Sequence, residues 1–446
     1  MKEVVCFISP LTLTQLDYSA IKHTKALGYE TAMMVDSTYA EDVSYVDYVI
    51  YSNTHNMEIV ITDLAQFQQT HKLAAILTYS DMHVEVTAAA CNYFGLYSSS
   101  LATIQSCKNK YLCRIKQTDC GWLQPKCRLI KTVEDFRKEL NSVGVPAVLK
   151  PLNGVGSAFT VFIDKEKGAE EQFLLNKSSF KNSFLNQEMM VSDYWALEEY
   201  LDGFQISVES FTYDGETTIV CIHDKLNPIL PPRFRVEFSA TPSPRINDQL
   251  ADEISILTIK ALEVVNYQYG VAHTEFRITE KGPQLLEINT RTGGGLIIHS
   301  AYYSTGVNLF DVAVDIALGR KPDVKVDHNN PTVFKVVYPL DTGLLTTLNG
   351  FEALKNNKAF DVVMQTANVG DTVTPSSRIG LVLSSSKQNE SVEDLIDNIN
   401  HGVDTLLMEI QHIDLDDSVY LPGHIETFSR KKLIDTNYNY SGVRKS

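Results

Sequence analysis

Short apolar runs punctuate the N-terminal part of the chain: Glu3–Ser9 (EVVCFIS), Thr31–Asp36 (TAMMVD), Tyr48–Ser52 (YVIYS) and Ala74–Ser80 (AAILTYS). Stretches of helical length separate them. This alternation predicts a parallel α/β sheet. No GxGxxG turn follows the first run, so a nicotinamide cofactor has no pyrophosphate seat there.

The pattern changes after a helix predicted from Asn109 to Gly121 and a loop with Pro125. PAVLK (Pro146–Lys150) and FTVFI (Phe159–Ile163) read as strands joined by PLNGVGSA. A Walker loop opens a helix, whereas this glycine-rich segment lies between strands. It suits a β-hairpin over phosphates, with Gly154 and Gly156 allowing close approach, Ser157 and backbone amides as donors, and Lys150 as counter-charge. A plain hairpin turn has the same composition.

Gln187–Val191 reads as a strand, and ISVESFTYDGETTIVCI as a hairpin with Asp-Gly at its turn. Glu198–Gly203 lies between them as a connector where an adenine can meet backbone groups. Helical spacing covers Ile254–Asn266 and Leu309–Leu318, the latter stopping at Gly319. Beyond Pro331, short strands such as TVFKVVY and RIGLVLS and a helix from about Val392 to Met408 indicate an α+β extension.

Chemistry concentrates in TEFRITEKGPQLLEINTRTGGG, which starts at Thr274 and ends at Gly295. His273–Thr279 and Gln284–Arg291 read as strands around the turn formers Glu280–Pro283. Side chains alternate, so Leu285, Glu287, Asn289 and Arg291 share one face, and Glu275 falls opposite Glu287. Two carboxylates ~4 Å apart repel by about 4 kcal/mol at an effective dielectric of about 20, so something must offset them. A hard divalent cation does so: Glu, Glu and Asn offer only oxygen, which suits Mg²⁺ or Mn²⁺ rather than zinc. Ion pairs with Arg277, Arg291 or Lys281 on a solvated face would offset them too. His273 lies on the same face as Glu275, as a supporting partner or substrate contact.

At 446 residues there is room for about three domains. A hydrophobic fraction of 44% and a charged fraction of 21% are globular values. The net charge of −16 excludes a nucleic-acid surface, which needs clustered Lys and Arg. No apolar run approaches the ~18 residues of a membrane span, and MKEVVCFISP is too short and mixed for a secretory signal, so a cytoplasmic location is expected. Of seven cysteines, Cys107, Cys113, Cys120 and Cys127 are spaced too widely for a zinc knuckle, so free thiols are expected. HExxH and GxSxG are absent, removing two hydrolase classes.

Together these segments resemble the ATP-grasp superfamily, and within it the carboxylate–amine ligases typified by the L-amino acid (dipeptide) ligases. The likeness runs in chain order through Lys110, KPLNGVGS, ALEEYLDG, HTEFRITEKG, LLEINTRTGGG and STGVNL, over most of residues 1–330. It implies an α/β (in part α+β) fold: a Rossmann-like parallel-sheet domain at 1–105, a small nucleotide-binding lobe with the glycine-rich loop at 106–195, a large lobe with the metal-binding hairpin at 196–330, and a closing α+β subdomain at 331–446.

Position by position, the resemblance implies that Lys110 and Lys150 contact nucleotide phosphates under the loop Asn153–Ser157. Glu198, Glu199 and Leu201 form the adenine-side connector. Gln205 stands where relatives carry an acid on the ribose, and Asn109 where they often carry Asp. Glu275, Glu287 and Asn289 match magnesium ligands, and Arg291 the arginine that stabilises the reacting phosphate and tetrahedral intermediate. Gly293, Gly294 and Gly295 let backbone amides approach a substrate carboxylate.

The implied reaction consumes ATP with Mg²⁺, Mn²⁺ being an alternative ion, and joins two small molecules, a carboxylate and an amine, most plausibly amino acids. Many such ligases are homodimers. A biosynthetic carboxylate in a different pocket, or a nucleotide-binding regulator without turnover, are the competing readings. Ser80 and Glu85 are candidate substrate contacts by the rule that ligands gather at strand ends. His223, Lys225 and Arg233 lie within reach and take no assigned role.

Overall fold

The first four strands are β1 (Glu3–Ile8), β2 (Glu30–Asp36), β3 (Tyr48–Ser52) and β4 (Lys72–Leu77), parallel and in the order β3-β2-β1-β4. Their apolar runs are buried on both sides. Val5, Phe7, Met33 and Val35 enter one core, while Val4, Cys6, Ile8 and Met34 enter another with Leu64 and Phe67 of the helix Met57–Gln68. This is the signature of a sheet covered on both faces. Strand order reverses between β1 and β4, which opens a crevice beyond their carboxyl ends. Ser80 and Asp81 lie in the turn that follows β4. The computed structural model describes residues 2–8, 17–36, 43–154, 159–181, 193–226, 236–326, 328–412 and 443–445.

A second, antiparallel sheet contains β5 (Cys127–Ile130), β6 (Ala147–Pro151), β7 (Val161–Ile163) and β8 (Trp195–Glu199), ordered β5-β8-β6-β7. One face carries Leu149, Ile163, Trp195 and Leu197 into a core with Phe136 and Phe173 from two covering helices. The other face carries Lys150 and Glu198 toward a cavity. Glu198 and Glu199 therefore belong to a strand, not to the connector expected from Glu198 to Gly203. Pairing with β6 extends β8 that far, and Tyr200–Gly203 makes the crossing.

The third sheet has eight antiparallel strands. Its first members are β9 (Phe204–Tyr213), β10 (Glu216–Lys225), β11 (Phe238–Thr241), β12 (Tyr269–Thr279), β13 (Gly282–Asn289) and β14 (Thr332–Val337). Asp214 and Gly215 turn β9 into β10 at φ 51° and 78°, the primed geometry that suits strand twist. Gly203 adopts φ 151° where the connector crosses β12, and a Cβ there would strike the Ile278 carbonyl.

After β14 the chain forms β15 (Gly343–Asn349), β16 (Val362–Gln365), β17 (Thr372–Val373), β18 (Gly380–Ser385) and β19 (Leu407–His412). The large sheet runs β13-β12-β9-β10-β11-β14-β18-β16, so the segment after Pro331 continues the sheet that begins with the acidic hairpin. β15, β17 and β19 form a small separate sheet, and β20 (Val443–Lys445) pairs with β3. The C-terminal helix spans Val392–Val403, capped by Ser391 and Asp394, and ends short of the expected Met408. Apolar residues continue past it, but Leu407–His412 pairs with β15, and tertiary pairing overrides local helical spacing.

Candidate functional site

Strands from both antiparallel sheets, the crevice after β4 and the glycine run after β13 enclose a cavity of about 250 Å³. On its hairpin wall, Glu275 stands opposite Glu287 and His273 opposite Asn289, as the turn chemistry predicted. The row differs in one respect. A bulge between Glu275 and Phe276 puts Leu286 on the cavity side and Leu285 in the core, 2% exposed, because an extra residue on one strand reverses the alternation.

Protein cations already offset the two carboxylates. Glu275 accepts from Lys225 Nζ at 2.6 Å, His273 Nε2 at 3.0 Å and Gln205 Nε2 at 2.7 Å. Burial opposes its charge, yet Lys225 and His273 overrule burial and hold the carboxyl below the usual range. Glu287 lies 3.5 Å from Lys110 Nζ and accepts from Asn289 Nδ2 at 3.2 Å. Its side chain is 28% exposed against 15% for Glu275, so Glu287 is the more accessible acid.

Behind this row lies Glu209, fully buried on β9. One oxygen is bonded to His273 Nδ1, and the other accepts the Gly293 N–H at 3.2 Å. Burial works against a charged imidazole, but Glu209 first and then Glu275 hold His273 up to about 9. A single carboxylate thus fixes both the histidine behind Glu275 and the start of the glycine run. Gly293 is required: a Cβ there would collide with Ile297 and His273. Gly294 and Gly295 line the cavity.

On the opposite wall, Lys110 opens the helix Lys110–Asp119, whose N-cap is Asn109 accepting from Tyr111 and Leu112. Lys110 Nζ also donates to the Gly154 carbonyl at 3.0 Å. Lys150 on β6 pairs with Glu198 at 2.5 Å, and Arg114 reaches the same carboxylate at 3.3 Å. Burial alone would raise Glu198, but Lys150 and Arg114 hold it at about 2. Glu198 therefore acts as an internal clamp on Lys150. Glu199 and Tyr200 donate their amides to the Lys126 and Pro146 carbonyls, and Leu201 lines the cavity beside them. Gln205 also lines it, facing Glu275. Gly156, Ser157 and Arg233, like the strand expected at 187–191, fall outside the described residues.

Arg291 bonds Asp81 Oδ2 at 3.2 Å and the Thr292 carbonyl at 2.7 Å, tying the hairpin to the crevice after β4. Burial would lower the guanidinium's affinity for its proton, and Asp81 more than compensates. Of the residues near this strand end, Asp81 lines the cavity, whereas Ser80 and Glu85, the expected substrate contacts, do not. Ser80 bonds His83 Nδ1 at 3.0 Å and Glu85 pairs with Lys108 at 3.0 Å, while Asp81 between them reaches the cavity. Lys225, unassigned from sequence, joins the site. His223 stays buried, neutral below its ordinary range at about 4, because burial outweighs the nearby Glu209.

The donor set fits a hard divalent ion in its chemistry, with two opposed carboxylates and an amide on one strand pair. Among the described residues no group of three His, Cys, Asp or Glu side chains is placed to hold a metal. All seven cysteines are free thiols. Among the described residues no helix is long and apolar enough to cross a membrane.

Residues 143–300 match the ATP-grasp domain family. Alanine–anticapsin ligase of Bacillus subtilis (strain 168) is 24% identical over 318 residues, covering 66% of this chain and 66% of that protein. An L-arginine-specific L-amino acid ligase of Bacillus subtilis is 23% identical, with 64% of this chain and 68% of that one covered. In three dimensions the fold matches an L-amino acid ligase from Bacillus licheniformis with a TM-score of 0.77 and 19% identity, covering 92% of this chain and 99% of that one. Phosphoribosylglycinamide synthetase from Anaerococcus prevotii matches with a TM-score of 0.68 and 14% identity, covering 92% and 100%. The chain thus spans about two thirds of the length of these two Bacillus subtilis ligases.

Proposed function

We propose, from the premise that this chain carries an ATP-grasp domain, that it is an ATP-dependent carboxylate–amine ligase joining two amino acids through an acyl phosphate. One observation carries the reading: Glu275 and Glu287 oppose each other on the wall of a cavity that also holds Lys110, Lys150 and Arg291. Opposed acids among phosphate-seeking cations suit a metal–triphosphate complex.

Lys110 and Lys150 lie where the triphosphate would be drawn in, with Glu198 keeping Lys150 extended along β6. A substrate carboxylate oxygen attacks the γ-phosphorus, the bond to the β-phosphate oxygen breaks, and ADP leaves. The amine nitrogen then attacks the acyl carbon, phosphate departs, and the amine loses a proton. Glu275, Glu287 and Asn289 would hold Mg²⁺ or Mn²⁺, which supplies Lewis-acid charge to phosphoryl oxygens when bound. Arg291, fixed by Asp81, presents a guanidinium fork to the charge that builds on the transferred phosphoryl group and the tetrahedral centre. The Gly294–Gly295 backbone would border the substrate carboxylate, while Gly293, expected beside them, gives its N–H to Glu209 and does not line the cavity. Enclosure protects the acyl phosphate from water.

A cytoplasmic setting suits an ATP consumer with seven free thiols. Hydroxylamine trapping tests the chemistry. Incubation with Mg-ATP, one amino acid at a time and hydroxylamine should give ADP and the amino-acid hydroxamate. Absence of any hydroxamate across the common amino acids rules out an aminoacyl phosphate.

A further inference from the structure

The cavity has a second wall that the phosphate chemistry leaves unused. Ile297, Phe334 and Val336 line it, and all three are almost fully buried in one apolar cluster with Leu381 and Leu383. Among them lies a cation. Arg378 sits on the loop from β17 into β18, far in sequence from every motif in the acidic hairpin.

Its position is built, not incidental. The Arg378 carbonyl accepts from Thr366 Oγ1 at 2.8 Å, and the next residue, Ile379, donates its N–H to Val337 at 2.9 Å. The Tyr338 hydroxyl donates to the Val236 carbonyl at 3.1 Å, so its oxygen is the acceptor for the Arg378 guanidinium. The bond to the Tyr338 hydroxyl helps orient the guanidinium. Arg378 Nη1 lies 3.8 Å from where a Cβ on Gly295 would stand, so the guanidinium borders the glycine run. Arg291 lines the same cavity from the hairpin side.

Two guanidiniums therefore line the cavity that Gly294 and Gly295 border. In the ligase reading Arg291 serves the reacting centre. A triphosphate would find the surroundings of Arg378 unfavourable, because Ile297, Phe334 and Val336 offer no polar partner for its remaining oxygens. A single carboxylate attached to an apolar side chain fits: the fork takes two oxygens and the aliphatic and aromatic wall takes the side chain.

Resting on that ligase reading, we infer that Arg378 binds the spectator carboxylate of the amine donor, and that this donor is an amino acid with an apolar side chain. The donor's nitrogen then lies between the two guanidiniums, within the stretch bordered by Gly294 and Gly295. A donor without a free carboxylate loses its anchor. Selection of this kind is strong because a buried guanidinium facing a neutral amide forfeits a charged bond.

The test uses the full chain and R378Q, with alanine, valine, leucine, methionine and phenylalanine as amine donors, each as free acid and as carboxamide. The common amino acids serve as acyl donors, ADP release is followed, and product masses separate dipeptide from dipeptide amide. Wild type should favour the free acid in kcat/KM by about tenfold or more, as expected for a charged hydrogen bond. R378Q should bring that ratio close to one, mainly by raising KM for the acid. R378K, which keeps charge without the fork, should fall between and carries the test if R378Q does not fold. An unchanged ratio in both variants, or wild type that accepts carboxamides equally, overturns the inference while leaving the ligase reading intact. Wild type silent with every pair overturns the ligase reading and this inference with it.

Discussion

Glu275 and Glu287 face each other across the β12–β13 ladder but are neutralised by different partners, Glu275 by Lys225 and His273 and Glu287 by Lys110. The asymmetry separates stability from catalysis. Glu287→Ala removes a partly exposed acid from a long ion pair and should cost at most about 1 kcal/mol of stability while abolishing most magnesium-dependent turnover. Glu275→Ala leaves Lys225 and His273 facing each other without their carboxylate. It should lower the melting temperature clearly more, in addition to losing turnover. Thermal melts and ADP release on the two variants check this; equal melting temperatures contradict it.

Arg291→Lys should reduce kcat by about a hundredfold, the scale of losing one preorganised donor to developing charge. An ammonium cannot copy the fork that bonds both Asp81 and Thr292. Steady-state rates near wild type would return Arg291 to a structural role between the hairpin and the crevice after β4.

Glu209 bonds His273 and the Gly293 N–H and acts through them. Glu209→Gln keeps the shape but loses the charge that fixes both. The expected result is a loss of about tenfold to a hundredfold in kcat/KM, the range for removing an orienting partner. KM for the amino-acid substrates should rise more than KM for ATP. A uniform loss with no such split would indicate only general destabilisation.

Glu198 makes the stability of the β5-β8-β6-β7 sheet depend on pH. Its folded-state value of about 2 lies below the ordinary 4.5, so its contribution is fully present above about pH 4.5 and is lost as pH falls toward 2. The difference corresponds to about 3 kcal/mol. Glu198→Gln should therefore be less stable at neutral pH and should show a flatter decline between about pH 4.5 and 2. Parallel unfolding curves for variant and wild type across that window would contradict the assignment.

Much of this architecture is legible in the chain because local rules decide it. Continuous apolar runs specify the parallel sheet, Asp214–Gly215 sets a hairpin, and the turn formers near Lys281 bring Glu275 opposite Glu287. What escapes is set by irregularity or distance. The bulge at Leu286 exchanges Leu285 for Leu286 at the cavity wall. A second bulge, between Ile219 and Cys221, shifts Lys225 into register with Gln205 and so into contact with Glu275. Simple counting from the Asp-Gly turn misses that placement by one residue. Glu198 looks like a connector acid until β6 pairs with β8, and Asp81 and Arg378 join the site only when β4 and β18 are brought to it in space. Glu209 left one signal: a carboxylate in an otherwise strand-forming run, which must find a partner when buried.

The measurement that tests the central claim most directly is phosphate release from Mg-ATP across all pairwise mixtures of the common amino acids, with mass spectra of the products. The account predicts release in particular mixtures, each with a new species equal in mass to the two partners less one water. ATP binding without phosphate release in every mixture would contradict an amino-acid ligase.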